Sequence, residues 1–252
     1  MKRIELMIDG KDVTAEAGQT IMQAADAVGI WIPRLCAHAK LLPGGNCRVC
    51  SVKVNGKVTN ACTMPVAGGM VVENDTPEMN AHRRRIIEML FVEGNHFCPF
   101  CEKSGNCELQ ALASRFGMTA PTYPYLYRDV AVDASHPDVF IDRNRCVLCG
   151  RCVRASRDVD GKTVFGFEGR GVAMRMAVDS TEGLGETRMI SADEAARICP
   201  TGSIVLKRTA YRVPYGTRTY DRAPIGSDIE GAGHGPGTGG APATTPAAGK
   251  GA

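Results

Sequence analysis

The stretch Cys146-Val-Leu-Cys149-Gly-Arg-Cys152, with Cys199-Pro200 standing far downstream, decides how this chain is read. Three thiolates repeated every third residue converge on one small object, and a distant Cys-Pro supplies a fourth donor. This is the spacing that holds a cubane 4Fe–4S cluster. One triplet and one Cys-Pro close a single cluster. Zinc is the competing reading, but zinc rarely takes three cysteines so evenly spaced.

The other seven cysteines lie upstream and form two more sets. Cys36, Cys47, Cys50 and Cys62 have one close pair and two solitary members, a pattern suited to a 2Fe–2S centre. Structural zinc usually pairs two short knuckles instead. Gly44 and Gly45 provide backbone without side chains, which lets N–H groups approach the sulfides. Arg48, inside the close pair, is grouped with them as cofactor-binding. The third set, Cys98, Cys101 and Cys107, is one donor short of a second 4Fe–4S site. His96 is the nearest other residue able to bind iron; a structural role is the commoner fate of a histidine and the competing reading. All eleven cysteines are thereby used, so no nucleophilic thiol or redox dithiol is left over.

Composition narrows the function further. The 252 residues suit one or two soluble domains, and 30 basic against 27 acidic residues give a net charge of +3. That balance, without a basic stripe, argues against nucleic acid. No apolar run is long enough to span a membrane. Residues 1–10 alternate apolar and polar side chains, as a strand does and an export signal does not, so a reducing cytoplasmic location is expected. No Gly-x-Gly-x-x-Gly follows a strand. Gly161-Lys162-Thr163 lacks the earlier glycine of a phosphate loop, with Ser156 in its place. The chain carries electrons and has no substrate site of its own.

The expected organisation is mixed α and β. Residues 1–78 form a small β unit, with strand Ile4–Ile8 turning at Asp9-Gly10, a helix over Thr20–Val28 and a hairpin around Asn55-Gly56. Residues 79–118 are helical, with Ile86, Ile87 and Leu90 on one face and a second helix over Glu108–Phe116. Arg83-Arg84-Arg85 reads as a solvated helix face, with Arg84 paired to Glu88. A Pro/Tyr-rich connector at 119–135 runs extended over a surface. Residues 136–212 return to mixed structure, with a hairpin across Asp160-Gly161 and a helix Ala192–Ile198 leading into Cys199. The Gly/Pro-rich segment 213–252 is expected to be a disordered tail.

The order of these sets resembles the N-terminal region shared by NADH:quinone oxidoreductase large iron–sulfur subunits, iron-only hydrogenases and NAD-linked nickel–iron hydrogenases. The carrying stretches are Gly45–Gly56, Phe91–Gln110, Arg145–Cys152 and Ile198–Gly202, and the likeness runs through roughly residues 1–220. Within that group it most resembles the electron-transfer diaphorase subunits of bidirectional NAD-reducing nickel–iron hydrogenases. The resemblance implies a ubiquitin-like β-grasp fold for residues 1–78, a helical segment at 79–118 with one histidine and three cysteine ligands, and a ferredoxin-like lobe at 136–212. It implies partners too: a flavoprotein subunit carrying FMN and NAD, and small and large hydrogenase subunits with the Ni–Fe site. The related branches place a histidine four residues before the first cysteine of the middle set; this sequence has Gly94 there and His96 two before. The alternatives are an iron–sulfur subunit of a quinone reductase or NAD-linked formate dehydrogenase and, from another class, a zinc-binding scaffold.

Overall fold

The computed structural model describes residues 3–127 and 129–231. The chain begins with β1 (Arg3–Ile8) and β2 (Lys11–Glu16), paired antiparallel with Ile8 opposite Lys11. Asp9 and Gly10, at φ 49° and 76°, make the two-residue turn whose twist suits a hairpin. Helix α1 (Ile21–Ala27) starts at a capping box: the Gln23 amide donates to Thr20 Oγ1 and the Thr20 amide to Gln23 Oε1. β3 (Ser51–Val54) and β4 (Lys57–Asn60) form the second hairpin, with Asn55 and Gly56 at φ 47° and 82°. β5 (Val71–Glu73) then slots between β1, which it parallels, and β3, giving the order β2-β1-β5-β3-β4. Alternation along the strands turns Leu6, Ile8, Val13, Ala15 and Val52 against Ile21 and Ala25 of α1.

Helix α2 (Pro77–Val92) is capped by the Thr76 hydroxyl and begins with proline, where a missing N–H costs nothing. Arg84 and Arg85 of its arginine run are exposed, as a solvated face requires, but Arg83 is not. Arg83 is 1 % exposed and donates to the carbonyls of Ser51 and Asn74 and to the Asn74 side chain, at 2.7–2.8 Å. Backbone acceptors turned inward make this burial tolerable, and they fasten α2 to β3. Glu88 does not pair with Arg84 either. Its carboxylate accepts from the Thr122 hydroxyl at 2.6 Å and from the Thr122 and Tyr123 amides, which holds the connector down. α3 (Glu108–Arg115) follows Cys107 and packs against α2.

Past the connector, β6 (Val139–Ile141) leads to the cysteine triplet, and α4 (Arg151–Arg154) runs on into one π-helical turn over Ala155–Val159. β7 (Phe165–Glu168) pairs with β8 (Arg175–Val178), so the hairpin turns at 169–174 and not across Asp160-Gly161. Asp160 has another task. Its carboxylate accepts the amides of Glu194 and Ala195, which start a single 3-10 turn, Glu194–Ala196, where a longer helix was expected. Pro200 disfavours helical backbone at Cys199, so the turn cannot extend through it. β9 (Ile204–Leu206) closes on β6.

The C-terminal segment is docked as far as residue 231, against the expectation of a disordered tail from 213. It contains α5 (Thr219–Arg222) and α6 (Ser227–Glu230). Arg218 is 3 % exposed and donates to the carbonyls of Val213, Glu102 and Ser104. Ile225 is buried, and Gly226 lies so close to Trp31 that a Cβ there would stand 2.4 Å from the ring. The rest of that expectation, residues 232–252, lies outside the described residues. Ile225 joins a central core with Trp31, Leu35, Ile87, Leu109 and Leu112, to which every part of the chain contributes.

Candidate metal centres

Cys146, Cys149, Cys152 and Cys199 all line one small cavity, closed by Phe167, Met176 and Ile204. Cys146 ends the 3-10 turn Arg143–Arg145, and Cys152 sits in α4. Cys199 is drawn in from 47 residues away through Thr201, whose hydroxyl donates to the Arg145 carbonyl at 2.9 Å and lies 3.6 Å from the Cys199 sulfur. Burial pushes the thiols up, Cys146 to about 11 and Cys149 to about 12, and Cys152 well above the ordinary thiol value. Such sulfurs become thiolates only when a cation replaces their protons, which is the behaviour expected of ligands to an iron–sulfur core.

Cys36, Cys47, Cys50 and Cys62 are all buried, Cys50 and Cys62 in the core of the first sheet and Cys36 and Cys47 in the central core. The Cys36 amide donates to the Cys47 sulfur at 3.3 Å. Hydrogen bonds with Cys47 and Cys62 hold the Cys36 thiol low, while sharing with Cys36, then burial, pushes Cys47 up. The Cys50–Cys62 hydrogen bond completes the set, lowering Cys50. Of the residues grouped around it, Arg48 is exposed at φ 61°, and its carbonyl accepts the Ser51 amide and hydroxyl. Gly44 makes room for the Arg154 guanidinium, 3.1 Å from where a Cβ would stand, and Gly45 faces Thr63.

Cys98 opens the 3-10 turn Cys98–Phe100, Cys101 follows it, and Cys107 immediately precedes α3. Burial raises Cys98 and pushes Cys107 to about 12, with the Cys98 and Cys101 charges adding to the latter. Arg145 donates to the Cys101 sulfur at 3.6 Å. His96 is half-buried, and the desolvation of its ring pushes it down to about 4 and keeps it neutral at pH 7. Its Nε2 is buried without a hydrogen-bond partner, a costly state for a polar atom unless a ligand takes it up. A Cβ at Gly94 would lie 2.4 Å from that nitrogen, so the ring of His96 fills the space beside position 94.

Residues not anticipated from sequence knit these loops together. Asn46 donates to the Cys149 carbonyl at 3.2 Å, and Arg154 to that of Cys36 at 2.6 Å. Arg151, next to Cys152, is buried as well. Arginines beside the triplet were the only available signal, and next to surface loops such residues normally face water.

Three family models match in the same order. A 2Fe-2S iron–sulfur cluster binding domain matches residues 1–77, the NADH-ubiquinone oxidoreductase-G iron–sulfur binding region 83–121, and a 4Fe-4S single cluster domain 139–206. The gamma subunit of the NAD-reducing hydrogenase HoxS of Cupriavidus necator is 41 % identical over 219 residues, covering 86 % of this chain and 93 % of that one. The mitochondrial NADH-ubiquinone oxidoreductase 78 kDa subunit of Candida albicans is 37 % identical over 84 % of this chain, which spans only 30 % of that relative. A chain of the crystal structure of an NAD+-reducing [NiFe]-hydrogenase in the H2-reduced state superposes with a TM-score of 0.85 at 44 % identity, covering 88 % of this chain and 94 % of that one.

Proposed function

The chain belongs to the family of NAD-reducing hydrogenase gamma subunits, iron–sulfur proteins related to the 78 kDa subunits of NADH-ubiquinone oxidoreductases, and from that premise we propose that it relays electrons between a diaphorase subunit and a nickel–iron hydrogenase. One 2Fe–2S and two 4Fe–4S clusters, when bound, would supply reversible one-electron acceptors. Cys36, Cys47, Cys50 and Cys62 hold the first, in a unit whose strand order and single helix support the β-grasp reading. His96, Cys98, Cys101 and Cys107 hold the second, supported by the unpartnered Nε2 of a neutral imidazole. Cys146, Cys149, Cys152 and Cys199 hold the third, in the ferredoxin-like lobe. Gly44, Gly45 and Arg48 shape the loop entering the first set. Arg145 offsets part of the charge on the Cys101 sulfur.

In this reading FMN, NAD and the Ni–Fe site belong to partner subunits, the chain itself is not catalytic, and the complex is cytoplasmic. No helix among the described residues is long and apolar enough to cross a membrane. The observation that carries the reading is the gathering of all four members of the third set around one cavity. Anaerobic purification of the native complex tests it. Ten irons per chain with matching acid-labile sulfide, and a nickel hydrogenase in the same complex, are expected; zinc without sulfide overturns the reading.

A further inference from the structure

Arg151 stands between two ligands of the third set, yet its side chain reaches all three. It is 2 % exposed. Its two terminal nitrogens each lie 2.6 Å from a different oxygen of Glu108, the residue after Cys107. Nη2 also donates to the carbonyl of Ala37, the residue after Cys36, at 2.9 Å. Nη1 reaches the carbonyl of Ile198, the residue before Cys199, at 3.5 Å. One guanidinium therefore touches the chain next to a ligand in every set. Arg154 ties only the first and third, through the carbonyls of Cys36 and Cys149.

Arg151 is buried and Glu108 half-buried, and such a bidentate pair fixes geometry well while adding little net stability over apolar residues of the same volume. What apolar residues could not provide is a fixed cation and a fixed anion among three sites that change charge. We propose that the Arg151–Glu108 pair is the common junction of the three ligand loops, a positioning pair that locks them together and balances the field under which they exchange electrons. This rests on reading the three sets as cluster sites. The buried guanidinium favours the reduced state of a neighbouring centre, and the half-buried carboxylate, more screened by water, the oxidised state.

The test is a redox titration of the whole complex, followed by electron paramagnetic resonance, with iron counted in each preparation. Glu108→Gln keeps the shape of the side chain and removes its charge. It is expected to raise the potential of at least one flanking cluster by about tenfold in the reduction equilibrium, 59 mV for one electron. Arg151→Gln is expected to lower it by a similar amount, and Arg151→Lys, which keeps the charge, to return it towards wild type. Opposite signs from the two halves of one pair are the signature, because a purely structural role moves both variants the same way. Shifts of equal sign, no shift, or an Arg151→Lys protein displaced as far as Arg151→Gln overturn the proposal. If Arg151→Gln does not fold, Glu108→Gln decides alone: a rise supports the pair's role, and an unchanged or lower potential refutes it. A wild-type complex lacking ten irons would instead sink the underlying assignment of the ligand sets, before any variant is compared.

Discussion

His96 joins a neutral ring to a buried nitrogen without a partner, and its surroundings explain why position 94 is glycine. His96→Ala is expected to lose or convert the middle cluster, while His96→Cys keeps four irons there at a lower potential, since thiolate adds negative charge. Gly94→Ala should resemble His96→Ala, because its methyl group would displace the ring; cluster spectra of the two variants check this. Cys199→Ser should damage only the third cluster, and retention of every cluster signal would place the fourth donor elsewhere. Arg83→Ala is a stability matter. It strands inward-facing carbonyls of Ser51 and Asn74, at a cost of about 2–4 kcal/mol read as a lower melting temperature of the loaded protein.

Among the elements, the connector and the C-terminal segment behave as clasps. The Thr122 hydroxyl and amide, with the Tyr123 amide, hold the Glu88 carboxylate below its usual range. A carboxylate held low adds stability above its unfolded value and loses it as pH falls through the folded value. Cuts at residues 120–127 by an acid-active protease should therefore appear only when pH falls below the ordinary carboxylate range, and cuts at neutral pH in Glu88→Gln. Truncation after residue 231 should leave cluster content unchanged, whereas truncation after 212 removes Arg218 and Ile225 and should lower it; iron analysis separates the two. Both hairpins of the first unit and its helix were legible, because Asp9-Gly10, Asn55-Gly56 and the Thr20–Gln23 box act through neighbours in sequence. The hairpin at 169–174 and the docked segment at 213–231 were not. The Asp160-Gly161 signal serves to end a helical turn, with Asp160 capping residues 194 and 195. The docked segment has few large apolar residues and depends on Gly226 meeting Trp31, a fit that composition cannot reveal. The cysteine sets were legible by spacing, while the arginines that join them make contacts distant in sequence.

At the scale of the molecule, the three ligand sets share one interior. Cys36, Cys47, Cys107 and Cys149 lie in the same central core as Trp31, Ile87 and Ile225. Sites placed at the centre of small units make metal binding part of folding. Chelating iron under air should accordingly unravel the units holding all three sets together, seen as lost near-ultraviolet circular dichroism and uniform protease sensitivity. The docking of Ile225 and Gly226 against Trp31 also has a meaning in time. Synthesis runs from the N-terminus, so Cys199, the last ligand, leaves the ribosome before the residues that plug the central core. The segment that closes the central core is therefore made after every ligand, and its docking is expected to slow the loss of bound iron to solvent; faster loss of iron to a chelator in Ile225→Ala checks this.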